Sequence, residues 1–304
     1  MNYEMSFSAL LGSSPLGALA SFGLLRKITD WDASAQLMFS MRDDWVAVVR
    51  CHALRDASEI VDRLSEWISS DIFDRLLNWP DDVRISPAEF RRRLACAVAD
   101  DDRLMIDFLT AIATDGAVDA QKGLIKPSAF YMVSGQQSFI GGMRDIVAKV
   151  RDNPRHWFTE ALIGPWRYEM QSHSLGWDPG TERLHALRHR APTGEKPVCI
   201  GGAVLLAFWA LPLFPTVAAN QRAVTTGFTR SRGEQHFHWP IWSTPIGLDE
   251  LRTLMHTGKS AWFSQTGGRL RDGIQGVYRS RRSEFGQGYA IFRSPEVIAT
   301  DNAG

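Results

Sequence analysis

Pro197–Gln221 reads PVCIGGAVLLAFWALPLFPTVAANQ, twenty-five residues without a charged side chain. An apolar run of that length is long enough to span a bilayer. Pro212 and Pro215 interrupt its second half, and proline both removes a helical hydrogen bond and clashes with the preceding turn. What remains is a helix over residues 200–211, too short to span and suited to a buried core. The expectation is a protein without a membrane segment, built around one apolar helix.

Working outward from this helix, the pattern is mixed. Upstream, Pro154–Leu162 and Gln136–Val150 read as helices, and Phe130–Val133 as a short strand. Pro87–Ala99 and Ala53–Ile68 are further helices, while Arg103–Thr114 is apolar enough for either helix or strand. Ala35–Met41 and Trp45–Cys51 read as two strands around Arg42-Asp43-Asp44. Ser14-Pro15 is a good helix start, with serine as N-cap and proline at the first helical position. The first residues, MNYEMSFSALLGSSPLGALASFGLL, lack a basic leader and carry Glu4, so they read as part of a folded helix rather than an export signal. Downstream, Arg183–Leu187, Ala223–Arg230, Gln235–Ile241, Gly276–Arg282 and Tyr289–Arg293 read as strands, with Gly247–Met255 as a helix. The order lacks the β-α alternation of a doubly wound sheet. The expected fold class is α+β, with helices and short antiparallel strands.

The chain has 304 residues, 44% hydrophobic and 22% charged, which excludes a disordered chain and allows a large core. Cys51, Cys96 and Cys199 are odd in number and widely spaced. They suggest neither a disulfide framework nor a cysteine zinc site, but free thiols in a reducing cytoplasm. The formal net charge of zero conceals a gradient. Residues 1–125 hold 13 Lys+Arg against 20 Asp+Glu, and residues 126–304 hold 21 against 14. The reading is therefore an acidic, helix-rich part (1–125) and a basic, strand-richer part (126–304). Gly116–Lys126 is the candidate linker, and one continuous domain is equally compatible. A basic part commonly meets an anionic partner.

Several constellations bear on chemistry. His236 and His238 in Gln235-His236-Phe237-His238-Trp239 share one strand face, a spacing at which two imidazoles can share a metal. His173, His256 and Asp178 are available as third ligands, and a polar face beside buried Phe237 and Trp239 is the plainer alternative. Thr257-Gly258-Lys259-Ser260 ends like a phosphate loop, but Thr253 stands where the first glycine belongs, so Gly258 reads as a helix C-cap. The acidic clusters Asp30-x-Asp32, Asp43-Asp44, Asp81-Asp82 and Asp100-Asp101-Asp102 could hold a hard cation, but each sits at an expected turn or helix end and reads as a cap. No G-x-S-x-G, H-E-x-x-H or His-Asp signature is present. The reading assigns no catalytic residue, metal or cofactor.

The strongest signal is basic. Arg269 and Arg271 follow Gly267-Gly268, and Arg279, Arg281 and Arg282 follow Tyr278 near the end of a strand. Guanidinium groups bind phosphates bidentately, and an adjacent aromatic can stack on a base. Arg269, Arg271, Tyr278, Arg279, Arg281 and Arg282 are the candidate nucleic-acid-binding residues. Trp166, Trp177, Trp209, Trp239, Trp242 and Trp262 all fall in the second part and read mainly as core.

One further pattern runs through these residues. Ser14-Pro15-Leu16-Gly17-Ala18-Leu19-Ala20 with Gly23-Leu24-Leu25-Arg26 resembles the start of a family encoded in type I CRISPR gene clusters, nearest the I-U (now I-G) subtype. Similar stretches are Phe130–Gln137, Gly164-Pro165-Trp166, Ser174–Pro179, Ala210–Pro215, Thr225–Phe228 and Trp239–Trp242, so the resemblance spans roughly 12 to 245. Its motifs are helix starts, turns and aromatic anchors, and they carry over no catalytic residue. The resemblance implies prokaryotic antiviral defence in the cytoplasm, within a multi-subunit RNA-guided complex. Its partners would be other effector subunits and guide RNA or target DNA. It leaves open a large subunit, a small accessory subunit, or an adaptor for the nuclease-helicase. The residues themselves also admit a metal-dependent nuclease or hydrolase on His236 and His238, and a structural interaction protein that touches no nucleic acid.

Overall fold

The computed structural model describes residues 2–133, 138–181, 197–264, 269–285 and 289–300. It opens on a strand where the sequence suggested helix. In β1 (Tyr3–Leu11) Met5 and Phe7 are buried while Glu4, Ser6 and Ser8 face solvent. That alternation has the period of a half-buried strand. The chain then turns into α1 (Pro15–Trp31), capped as expected by Ser14, whose hydroxyl accepts from Gly17 N. β2 (Gln36–Met41) and β3 (Trp45–Cys51) complete an antiparallel sheet in the order β1-β3-β2.

Four helices follow: α2 (Ala57–Ser69), α3 (Ile72–Leu76), α4 (Pro87–Ala99) and α5 (Arg103–Ile112). The ambiguous stretch Arg103–Thr114 is both things in turn, because α5 runs directly into β4 (Ala113–Val118). β4 pairs with β5 (Ile125–Pro127) across the proposed linker. Phe130–Val133 forms no strand. Phe130 is instead fully buried among Trp177, Phe214, Phe228, Phe237 and Phe292, and side-chain packing replaces ladder bonds there. α6 (Phe139–Asp152) and α7 (Pro154–Leu162) then lead to the apolar helix α8 (Gly201–Ala210), followed by a 3-10 turn at Leu211–Leu213. Gln136, Gln137 and the strand expected at Arg183–Leu187 lie outside the described residues.

All ten residues of α8 are buried. Its sides are flattened by glycine. A Cβ on Gly23 of α1 would overlap Leu206 O of α8, and one on Gly202 would lie 2.6 Å from Trp157 O of α7. Among the described residues, no helix is long and apolar enough to cross a membrane.

The expected strand Ala223–Arg230 is divided. β6 (Thr216–Ala219) and β7 (Arg222–Thr225) form one hairpin, and β8 (Phe228–Ser231) joins a different sheet after Thr226-Gly227. Gly227 adopts φ 82°, a left-handed conformation that permits this break. The larger C-terminal sheet has the order β11-β10-β9-β8, from β9 (Glu234–Trp242), β10 (Ile274–Phe285) and β11 (Tyr289–Phe292). β12 (Glu296–Thr300), not anticipated from the sequence, pairs with the earlier half of β10. α9 (Leu248–Thr257) and the short α10 (Lys259–Trp262) lie between β9 and β10. The fold is α+β.

One buried cluster runs from Met5 to Phe292, across residue 125. Tryptophan N–H groups tie the two larger sheets together. Trp239 Nε1 donates to Gly12 O at 2.7 Å, and Trp242 Nε1 donates to Leu37 O at 2.8 Å. In the Trp239→Phe variant the ring stack survives but the buried Gly12 carbonyl loses its donor. A buried group left unsatisfied costs about 2 kcal/mol. Urea unfolding should show that loss with an unchanged m-value, and a change under about 0.5 kcal/mol would mean that water replaces the indole.

Candidate functional site

The register of β9 on β10 positions the polar groups that the sequence singled out. His238 is opposite Arg279 and His236 is opposite Arg281, so these four share one face of the sheet. Tyr278 is opposite Trp239 on the other face, which enters the core. Their rings stack 5.9 Å apart, and Tyr278 is 8% exposed. This corrects its expected role, since a ring held between core neighbours offers no face to a nucleic-acid base.

The five arginines do not form one cluster. Arg279 donates from Nε and Nη2 to Glu296 Oε2, at 2.9 and 2.7 Å, across the β10–β12 pair. Arg281 Nη1 donates to Glu234 Oε1 at 2.7 Å. Arg282 donates to the carbonyls of Ala129 and Tyr131 at 3.1 and 3.2 Å and pairs with Glu284. It is a clamp that holds the 129–131 segment against the sheet, which corrects its assignment as a phosphate contact. Arg269 and Arg271 lie before β10 begins, beside the Phe263–Leu270 bridge, where Arg271 Nε donates to Phe263 O. At about 3.3 Å per strand residue, Arg281 stands more than 20 Å from the start of β10. Gly267 and Gly268 lie outside the described residues.

What the fold does bring together was not read from the sequence. At the far end of the sheet a cavity of about 340 Å³ is lined by Arg230 of β8, Arg281 and Arg282 of β10, and Arg293 just after β11. Glu234 and Glu284 share it, leaving the cations in excess. The β8–β9 turn passes through Arg232 and Gly233 at φ 51° and 87°. It presents Arg230 and Arg232 exposed to solvent, and neither has a carboxylate partner among the described residues. The signal was Arg230-x-Arg232-Gly233 itself, a turn with cations on both sides. Position in the sheet, rather than spacing along the chain, gives it meaning.

The histidines share a face as expected, with ring centroids 6.2 Å apart. His238 is only 3% exposed, and its Nε2 lies 2.8 Å from Thr229 Oγ1. Burial first, then the charges of Lys259 and Arg279, push its pKa down to about 3. Burial and then Arg279 likewise lower His236, partly opposed by Glu234. The proposed third ligands are engaged elsewhere. His173 Nδ1 accepts from Leu175 N, Asp178 accepts from Tyr168 Oη and Gly180 N, and His256 Nε2 contacts Leu213 O. Among the described residues no three His, Cys, Asp or Glu side chains converge as metal ligands do.

The remaining motifs settle as local structure. Gly258, at φ 62°, ends α9 with its N–H on Leu254 O. Asp32 accepts from the amides of Ser34, His52 and Ala53, and Asp102 caps α5 through Met105 N.

No protein-family model matches the chain, and no curated protein matches it. The described stretches that carry the CRISPR-family resemblance are framework: α1 with its cap, the buried Phe130 and Trp177, the end of α8, and the two tryptophans that join the sheets.

Proposed function

We propose that the chain is a non-catalytic subunit of a cytoplasmic, RNA-guided type I CRISPR effector complex, and that it holds a nucleic-acid backbone at the arginine-lined end of its C-terminal sheet. The family context comes from the resemblance. The observation that carries the site is the convergence of Arg230, Arg281 and Arg293 around one cavity with fewer carboxylates than cations, with Arg232 exposed in the β8–β9 turn that leads to it. In RNA-guided complexes base pairing reads the sequence, and proteins hold backbones and displaced strands by charge. Planar guanidinium groups suit that task because each can grip a phosphate through two parallel hydrogen bonds. Arg230 and Arg232 are the primary contacts in this reading, since neither must leave a carboxylate first. Arg281 follows with Glu234 as its resting partner, and Arg279, held by Glu296, contributes least.

The test is a salt titration of oligonucleotide binding, wild type against Arg230→Ala/Arg281→Ala, with circular dichroism to verify folding. Each lost phosphate contact lowers the log–log salt slope by about 0.9 on duplex DNA and about 0.7 on single strands. Affinity should fall alike for all sequences, because phosphate contacts position without specifying. An unchanged slope would leave the interaction-protein reading in its place. Magnesium-dependent cleavage that disappears in His236→Ala/His238→Ala would instead establish the hydrolase.

A further inference from the structure

Carboxylates repel phosphate, yet Glu234 and Glu284 both line the cavity at the end of the C-terminal sheet. Glu284 pairs with Arg282, whose guanidinium is also engaged by the carbonyls of Ala129 and Tyr131. Glu234 is placed differently. The register pairs it with Ser231 across the two-residue turn Arg232-Gly233, both at positive φ, so it stands at the base of a tight hairpin. Its Oε1 accepts from Arg281 Nη1 at 2.7 Å, and its Oε2 lies 3.8 Å from His236 Nε2. The side chain is 49% exposed. Glu234 therefore occupies the position on Arg281 that a phosphate would take, and it can leave for water without being stranded in a dry interior.

The consequence depends on how many phosphates arrive together. An isolated phosphate that settles on Arg230 makes one solvent-exposed contact, which is weak. To gain Arg281 as well it must displace Glu234, exchanging one charge-assisted pair for another with little net gain. A nucleic-acid backbone brings further phosphates on the same chain. Arg230 and Arg232 stand exposed on the hairpin, and neither has a carboxylate partner among the described residues. Phosphates held there keep the next one at the cavity mouth, so the displacement of Glu234 becomes an intramolecular step at high effective concentration. Displacing Glu234 costs the same in both cases, and only the polymer has further contacts to offset it.

We infer that Glu234 is the selectivity residue of this site, a carboxylate that turns away isolated phosphate and yields to a continuous phosphodiester backbone. The inference deepens the nucleic-acid reading and rests on it. Without Glu234 the cavity would hold Arg230, Arg281, Arg282 and Arg293 against Glu284 alone, and it would take up free phosphate and nucleotides.

The test follows a labelled oligothymidine of about twelve nucleotides by fluorescence anisotropy, with inorganic phosphate as competitor at constant ionic strength. Glu234→Gln keeps the size of the side chain and removes its charge. Phosphate should bind this variant about threefold tighter or more, the range of an exposed ion pair, and the oligonucleotide should gain no more than phosphate does. Glu66→Gln, at an exposed carboxylate of α2 outside the cavity, makes the same change in net charge and should leave both affinities at the wild-type values. The inference is overturned by an unchanged phosphate affinity in Glu234→Gln, by a larger gain for the oligonucleotide than for phosphate, or by an equal gain in Glu66→Gln. Each of these leaves the nucleic-acid reading standing, because the oligonucleotide is still bound. An oligonucleotide that neither wild type nor Glu234→Gln binds overturns that reading and this inference together. Glu234→Thr, suited to a strand, repeats the test if the amide variant fails to fold.

Discussion

Gly23→Ala should destabilise the protein by about 3 kcal/mol, the upper end of what overpacking costs. Alanine would normally favour a helix over glycine by up to about 1 kcal/mol. Here packing reverses the sign. The added methyl would overlap Leu206 O, lie 2.6 Å from Leu206 C and stand 3.2 Å from Ala210 N. All three are backbone atoms of α8, so no rotamer change relieves the clash, and the helices must separate. α8 cannot retreat, because its other side meets α7 through Gly202, where Trp157 O leaves no room either. Moving it would open gaps around Phe208, which stacks on Phe108, and Trp209, which packs edge-on against Trp67 and tilted against Phe73 and Phe108. Gly233→Asn is the control. Nothing lies within 4 Å of a Cβ there, and asparagine tolerates the left-handed backbone better than most residues. Urea unfolding of both variants checks the claim. Gly23→Ala within about 0.5 kcal/mol of wild type would mean that the two helices adjust freely.

Gly23 also shows what the sequence could and could not disclose. Local signals were legible. Ser14 caps α1 with its own side chain, and Pro15, Pro87 and Pro154 open helices where they were expected, whereas α2 starts at Ala57 behind an Asp56 cap, four residues later than the expected Ala53. These choices depend on neighbours three or four residues away. β1 was missed because its alternation runs into a small-residue, leucine-rich segment that continues as α1, and the two periods merge across Leu10–Leu16. The candidate site was legible as composition and not as place. The partner of Arg279 is Glu296, and those of Arg282 lie about 150 residues upstream at Ala129 and Tyr131. Trp239 finds its acceptor at Gly12. A run of arginines therefore states that positive charge is present, while the sheet register decides which guanidinium groups are already occupied. Arg230 and Arg232 looked ordinary in sequence because their significance comes from β10 and Arg293 arriving beside them.

The same burial that shapes the site makes the protein sensitive to mild acid. His238 is held down to about 3 by burial and by the cations around it, and burial holds His173 down to about 4. In the unfolded chain both return to about 6.5. Above that value both states are neutral, and the histidines have no effect on folding. Below it the unfolded chain takes up two protons that the folded protein refuses, so stability falls with pH. The slope is about 1.4 kcal/mol per pH unit for each histidine, and the loss continues until the folded-state values are reached. Between pH 6.5 and 5 the two together remove about 3 kcal/mol, a large share of an ordinary domain's stability. His236 shifts in the same direction and adds to the effect. His238 cannot avoid this by keeping its proton, because Lys259 and Arg279 repel the imidazolium and Thr229 is a neutral partner. Urea unfolding at pH 7.5, 6.0 and 5.0 should therefore show a steadily falling midpoint. His238→Asn should flatten the pH dependence by one proton even if its stability at pH 7.5 is lower. A midpoint that holds steady from pH 7.5 to 5.0 would show that the imidazoles reach solvent and titrate as they do in the unfolded chain.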